Sequence, residues 1–442
     1  MKKLSRRSFV KSSTLASGAA VIPSWSAKSY RRIVGSNERM NVGVAGIRSR
    51  GAAHIAAAKL FPDHANIMAL CDVDSRLFAK IQGEQGLDDS STNKYKDIRR
   101  MLENTDIDIV TIATPDHWHA PMAILAMQAG KNVYLEKPFS HNPKEGEWVI
   151  QAEKNTGQVL QIGNQQRSAP TSREVIGLIH DGIIGDAYYS KAWYSNNRGP
   201  IGHGKQVEVP EWLDWELWQG PAPRRPYMDN YVHYNWHWFW HWGTGEINNN
   251  GLHELDIARW ALQLELPHRV TSAGGRYHYQ DDWEFYDTQV AAYEFDGGKS
   301  INWEGRSCSK YPEFHGQGRG NIIYGTEGSV FLDRNGYVIY DNDNNVVKKA
   351  DEKEKSATTD TKGVGGLDAY HFKNFLDAIS HGSELHSTAE EAHKSTLLCH
   401  LGNMAQEHGG ALDIDTETGR PYHKAAMEMW SREYEPGWKP TV

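Results

Sequence analysis

The stretch Met40-Asn41-Val42-Gly43-Val44-Ala45-Gly46-Ile47-Arg48-Ser49-Arg50-Gly51 decides how the chain is read. Asn41 to Ala45 is a short apolar run that predicts a strand, Gly46 to Gly51 predicts a turn, and the alanine-rich Ala52 to Leu60 predicts a helix. Ile67-Met68-Ala69-Leu70-Cys71-Asp72 predicts the next strand. The alternation continues with a strand over Ile107 to Thr114, a helix over Ala120 to Ala129, a strand over Asn132 to Leu135, a helix over Pro143 to Thr156 and a strand over Val159 to Ile162. This spacing predicts an α/β domain over residues 40–165, a doubly wound parallel sheet covered on both faces.

Beyond residue 166 the texture changes. Ala187 to Tyr194 and Thr288 to Phe295 are aromatic-rich and alternate in polarity, and Ile301 to Glu304, Asn321 to Tyr324 and Ser329 to Asp333 read as further strands. Residues 166–442 are therefore expected to form an α+β domain with a large, open-faced, mostly antiparallel sheet. Helices are expected at Asp368 to Ser380 and Ala389 to Gln406, and the polar segment 341–366 is expected to be a mobile surface loop.

The chain has 442 residues, 39% hydrophobic and 24% charged, with a mean hydropathy of -0.65. That suits a globular protein of about two domains, and the absence of any uncharged apolar run of about 18 residues excludes a helical membrane span. The first 26 residues carry five basic residues and no acidic ones; without them 43 basic residues face 56 acidic, a net charge of -13. So acidic a surface has no general attraction for phosphate backbones, which argues against nucleic acid as a partner. Within residues 1–26, Ser5-Arg6-Arg7-Ser8-Phe9-Val10-Lys11 resembles a twin-arginine export motif, with a weakly apolar stretch and a small-residue cleavage site after it. Export of a folded protein to the periplasm is the expectation. Cys71, Cys308 and Cys399 are odd in number and far apart, which fits neither a disulfide framework nor a zinc site.

The glycine turn, with Asp72 ending the next strand, is the arrangement that seats a dinucleotide pyrophosphate on a helix N-terminus and offers a carboxylate to the ribose. Asp72 would repel a 2′-phosphate, favouring NAD over NADP. Arg48 stands where the middle glycine of the fingerprint is usual, and could compensate with charge-assisted hydrogen bonds. Two polar clusters, Thr114-Pro115-Asp116-His117-Trp118-His119 and Glu136-Lys137-Pro138, end apolar strands at the edge where open α/β sheets bind ligands.

Gly46 to Gly51, Asp72, Thr114-Pro115 and above all Glu136-Lys137-Pro138 resemble the Gfo/Idh/MocA oxidoreductase family. Gly163-Asn164-Gln165-Gln166-Arg167, Gly243 to Trp260 and His371 to Leu412 resemble its exported bacterial branch. The resemblance implies a Rossmann domain for NAD followed by a substrate and oligomerisation domain, in a homo-oligomer, dimer or tetramer, that pairs open sheet faces. It implies cofactor contacts from Gly46, Ile47, Arg48, Gly51 and Asp72 in the first βαβ unit. Thr114, Pro115, His119, Glu136, Lys137 and Gln166 would add contacts at the later strand ends.

In the family a lysine matching Lys137 lies beside the reacting carbinol, with an Asp and a His four residues apart in the second domain. The matching positions are Asn249 and His253, so Asn249 departs from the family carboxylate; an amide can position a hydroxyl but cannot hold a proton. His253 is then the expected base, Asp256 would orient its ring from one helical turn away, and Lys137 as ammonium would stabilise the developing oxygen charge. The alternative is a helix cap and salt bridge.

The chain carries 16 tryptophans, and the cluster Tyr231 to Trp242 suits stacking on pyranose faces as well as core packing. Trp236, Trp240 and Arg167 are candidate substrate contacts. His233, His237 and His241 recur every four residues, but the alternation of His with Trp reads as strand or irregular loop, and no metal is expected.

Together these features predict hydride transfer from a sugar or glycoside hydroxyl to a tightly bound NAD that is reoxidised in place, since no free pool of it exists outside the cytoplasm. A redox-neutral NAD-dependent glycosidase or lyase would need the same residues. A non-catalytic sugar-binding protein is the third reading, motivated by Arg48 and Asn249.

Overall fold

A computed structural model describes residues 39–312, 316–352 and 366–442. The expected export segment, residues 1–26, lies outside the described residues. Six strands, β1 (Met40–Ala45), β2 (Ala65–Cys71), β3 (Asn93–Tyr95), β4 (Ile109–Ile112), β5 (Asn132–Leu135) and β6 (Leu160–Ile162), form one sheet in the order β3-β2-β1-β4-β5-β6. All its pairings are parallel. Helices α1 (Ser49–Lys59), α2 (Leu77–Gln85), α3 (Ile98–Leu102), α4 (Asp116–Gln128) and α5 (Pro143–Thr156) connect the strands. The order reverses between β1 and β4, so a crevice opens at their C-terminal ends, the place where such sheets bind ligands.

The two-sided burial explains the uniform apolar runs: Val42, Val44, Ile109, Ile112, Leu135 and Ile162 are sealed from solvent. Helix α5 starts as its sequence dictates, with Asn142 accepting the Glu145 N–H at 3.1 Å and Pro143 opening the first turn. α2, α3 and the short β3 were not expected from sequence. α2 has few apolar residues at helical spacing, and β3 is a three-residue, largely exposed edge strand.

After α6 (Pro170–His180) come β7 (Ala187–Ser195), α7 (Trp215–Gln219), α8 (Leu252–Leu262), β8 (Arg269–Gly275), β9 (Thr288–Phe295) and β10 (Lys299–Arg306). β11 (Arg319–Gly325), β12 (Gly328–Asp333), β13 (Gly336–Asp341), β14 (Val346–Asp351), α9 (Gly366–His381), α10 (Ala389–Glu407) and β15 (Ala411–Asp413) follow. These strands form a nine-stranded sheet in the order β14-β13-β12-β11-β7-β10-β9-β8-β15, antiparallel except where β7 meets β10. Alternation decides its faces. Ala291, Tyr293, Ile301, Trp303 and Ile323 point into a core shared with Leu252, Leu255 and Ile257 of α8 and Leu397, Leu398 and Leu401 of α10. Trp193, Ile322 and Phe331 cluster on the opposite face with Tyr324, Val338 and Tyr340.

Two expectations change. The polar segment expected as a loop over 341–366 contributes the edge strand β14 instead, its exposed Val346, Lys348 and Lys349 paired to β13 with Val347 at a break in register; residues 353–365 lie outside the described residues. Helix α9 returns to the first sheet, where Phe372, Phe375 and Leu376 join the core of Val42 and Val44. Among the described residues no helix is long and apolar enough to cross a membrane.

The tight approach of α1 to β1 yields a prediction. A Cβ on Gly51 would stand 1.9 Å from the Gly46 carbonyl oxygen. Gly51→Ala, favourable by helix propensity alone, should destabilise the protein by about 1–3 kcal/mol through overpacking, read as a lower urea midpoint. An unchanged midpoint would show that the turn relaxes.

Candidate active site

A cavity of about 730 Å³ runs from the β1–α1 turn, across the ends of β4 and β5, to the N-terminal end of α8. At one end Gly46 takes φ +75°, and a Cβ there would meet the Ala113 carbonyl oxygen at 2.6 Å. Helix α1 has no side-chain cap and no acidic residue in its first turn, so its N-terminal N–H groups stay available to an anion. Arg48 is exposed beside it on the cavity wall.

Asp72 lines the same end, its carboxylate fixed by the N–H groups of Ile47 (2.9 Å) and Asp74 (3.0 Å). Burial pushes this carboxyl up to about 6 against the pull of those hydrogen bonds. The Thr114 hydroxyl also lines the cavity and, among the described residues, is buried without a partner. An uncapped helix start, a glycine turn closed to side chains, a waiting carboxylate and an unpaired hydroxyl fit NAD. The turn and α1 would hold its pyrophosphate and Asp72 its ribose. Ile47 and Gly51 act from behind the wall, Ile47 through its N–H and Gly51 by letting α1 approach.

Glu136 and Lys137, at the end of β5, have opposite fates. The Glu136 carboxylate is buried and accepts from Arg50 Nε (3.0 Å), Gln165 Nε2 (2.8 Å) and, through His54 Nε2, a contact of 3.1 Å. Burial alone would raise its pKa, but the Arg50 charge and the His54 contact outweigh it and hold the carboxyl well below the usual carboxylate range. Arg50 also reaches Asp368 of α9 at 3.1 Å. Glu136 is thus an anchor for the segment that carries Lys137. Lys137 projects across the cavity, its Nζ donating to the Asn249 carbonyl at 2.6 Å and lying 3.5 Å from Asn249 Oδ1. Burial pulls this ammonium down to about 8 despite the nearby Glu136 and Asp116 carboxylates.

The opposite wall is a π turn, Ile247–Gly251, in front of α8. Asn248-Asn249-Asn250-Gly251 favours a regular helix poorly, and widened turns of this kind are frequent at functional sites. Asn249 Nδ2 donates to Glu246 at 3.2 Å. His253 lines the cavity one turn on, buried and, among the described residues, without a hydrogen-bond partner. Burial, then the Arg334, Lys137 and Arg319 charges, press its pKa well below the ordinary histidine value. His119 and Gln166 also line the cavity. The His119 ring nitrogens face the Pro138 and Thr114 carbonyls, and Gln166 Nε2 donates to the Asp333 carbonyl at 3.3 Å.

Three expected site residues are corrected. Asp256 does not orient His253: it takes a two-pronged contact from Arg167 Nε (2.7 Å) and Nη2 (2.8 Å) and accepts from Ser395. Arg167 is therefore no substrate contact but the buried partner of Asp256, tying the segment after β6 to α8. Trp240 packs on Phe285 with ring centres 3.8 Å apart and does not line the cavity. Trp236 does line it, stacked on His237 at 3.6 Å.

The spaced histidines diverge. His233 meets Asp74 at 2.9 Å, His237 contacts the Tyr234 carbonyl and His241 the Pro223 carbonyl. Among the described residues no group of three His, Cys, Asp or Glu side chains could hold a metal ion. Sequence reading missed Arg334 and Arg319, which line the cavity from the second sheet. Both lie on strands or turns with no spacing motif, so only the fold brings them to His253.

Comparison with known proteins follows the same two-part division. The family described as "Oxidoreductase family, NAD-binding Rossmann fold" matches residues 40–164, and its companion "C-terminal alpha/beta domain" matches residues 218–414. A glycosyl hydrolase family 109 protein of Saccharopolyspora erythraea is 29% identical over 211 residues, 44% of this chain and 45% of that protein. A scyllo-inositol 2-dehydrogenase (NAD(+)) of Bacillus subtilis is 26% identical over 258 residues, 57% of this chain and 62% of that enzyme. The chain thus spans about half to three-fifths of the length of these curated relatives. The solved structure of an oxidoreductase domain protein from Kribbella flavida superposes with a TM-score of 0.66 at 20% identity, over 85% of this chain and 99% of that one, which shows the shared fold.

Asp72 links cofactor binding to pH. Ribose hydroxyls donate best to the ionised carboxylate, so binding has to displace a proton held up to about pH 6. NAD affinity should be flat above that value and weaken by up to about tenfold per unit below it, measured by calorimetry of the cofactor-free protein. An affinity that does not change down to about pH 4 would remove Asp72 from the ribose.

Proposed function

The chain belongs to the Gfo/Idh/MocA oxidoreductase family, and from that premise we propose that it oxidises a carbohydrate hydroxyl between its two sheets with NAD as cofactor. The observation that carries this reading is the meeting of Lys137 Nζ, from the first sheet, with the Asn249 carbonyl, in the π turn of the second, beside His253. NAD supplies the acceptor for the carbinol hydride. The inositol dehydrogenase among the relatives supports a polyhydroxylated substrate.

The hydroxyl proton must go to the protein, and the site favours Lys137 over His253 as its acceptor. Lys137, drawn down to about 8, exchanges a proton near neutral pH. His253 has no carboxylate to support it, Asn249 standing where the family has one, and its buried position among cations makes it a weak base. As a neutral ring it can still orient a hydroxyl. This reverses the roles that residue type alone suggests.

A second reading is favoured by the glycosyl hydrolase family 109 relative: reversible oxidation that lets a glycosidic substituent leave, with no net redox change. Free phenol released from an aryl glycoside without added acceptor would select it, and stable accumulation of oxidised sugar would select the first. We also propose export of the folded, cofactor-loaded protein, supported by Arg6-Arg7 in the leader. Replacing the pair with lysines should hold the protein in the cytoplasm; undiminished export would sink that reading.

Oxidation rate should rise with pH through about 8, by about tenfold per unit below it. Lys137→Met should cost about 10²–10⁴-fold in kcat, whereas His253→Gln should cost less and keep the limb near pH 8. Loss of that limb in His253→Gln would return the base to the imidazole.

A further inference from the structure

Arg334 stands in the turn between β12 and β13, and that turn is held rigidly. The Asp333 carboxylate accepts from the Asn335 N–H (2.7 Å) and Nδ2 (3.0 Å), and the Glu352 N–H donates to the Asn335 carbonyl (2.6 Å). Gln166, in the turn after β6, secures the Asp333 carbonyl. The Arg334 side chain lines the cavity, and its Nε is sealed from solvent with no hydrogen-bond partner. Among the described residues the guanidinium has no ion pair either.

The acids closest in influence are already engaged. Glu254 takes a two-pronged contact from Arg319 at 2.8 and 2.9 Å, and Asp368 is held by Arg50. Burial and the Arg319 charge disfavour the cationic form of Arg334, yet a guanidinium stays protonated at neutral pH. A half-buried cation whose Nε is sealed and unpaired is unfavourable unless something completes it, and among the described residues no side chain does so. The cofactor phosphates have their own seat at the α1 N-terminus beside Arg48, whereas Arg334 comes from the second sheet and acts on His253 more strongly than any other charge does.

Resting on the carbohydrate reading above, we propose that Arg334 is the subsite for an oxyanion carried by the substrate, so that the sugar oxidised here is an acidic one. The planar fork matches a carboxylate, sulfate or phosphate oxygen pair, and a neutral sugar would leave it unpaired. Arg334 then selects the substrate and positions its carbinol against Lys137 without handling the proton.

The test uses the NAD-loaded protein with glucose, glucuronate, glucose 6-sulfate and glucose 6-phosphate, followed by calorimetry and by cofactor reduction. At least one acidic sugar should surpass glucose by about tenfold or more in affinity or kcat/KM, and which one does so identifies the oxyanion. Arg334→Gln should raise KM for that sugar about 10–100-fold with kcat nearly unchanged, shrink its advantage over glucose by a similar factor, and be partly rescued by Arg334→Lys. Equal handling of acidic and neutral sugars, an equal loss for both in Arg334→Gln, or loss of NAD alone would overturn the proposal. If no sugar binds or reacts, the carbohydrate reading fails, and acetate, sulfate and phosphate decide the subsite separately. Thermal stabilisation of the wild type by one of these ions but not of Arg334→Gln upholds it, and stabilisation of neither or of both overturns it.

Discussion

One buried carboxylate organises the site. Glu136 draws Arg50 and His54 from the first helix and Gln165 from the segment after the last parallel strand onto a single oxygen, and through Arg50 it reaches Asp368 near the chain's far end. An ionised acid out of water is tolerable only with such company. Its partners are the elements that must be aligned for a dinucleotide and a substrate to meet. Lys137, the next residue, inherits a fixed origin and spans the cavity from it.

What Lys137 reaches is as constrained as where it starts. The π turn before α8 places the Asn249 carbonyl at the lysine tip, so the two halves of the chain are joined through Lys137 across the cavity rather than only around it. The amide at Asn249 has an electrostatic consequence. With no acid to favour its protonation, His253 lies buried among Arg334, Arg319 and Lys137 and stays neutral. Burial and the surrounding charge pattern set the protonation of Lys137 and His253 here more than side-chain type does.

The tryptophans divide between two uses. Trp215, Trp218, Trp236 and Trp242 form one aromatic cluster, with Trp215 and Trp218 stacked at 4.8 Å, and of these Trp218 and Trp236 also face the cavity. Trp238 stacks on Trp283 at 3.9 Å, away from it. The cluster fills a long irregular segment that has little regular hydrogen bonding of its own, so large flat side chains supply cohesion that a sheet ladder supplies elsewhere. Ring count in the sequence therefore overstates the number of rings that face the cavity.

The sequence by itself determined the parallel first sheet, the open second sheet, the glycine turn with Asp72, and the placement of Lys137 and His253 on strand end and helix start. Each of these follows from local periodicity or from residues close along the chain. Only the tertiary structure decided that Asp256 serves Arg167, that Trp240 serves Phe285, that the polar segment after residue 341 supplies an edge strand, and that Arg334 shares a cavity with His253. Those outcomes depend on which distant side chain wins a buried charge or fills a gap. That competition is settled by packing between side chains that mostly lie tens of residues apart, and nothing in the spacing of residues along one segment records it.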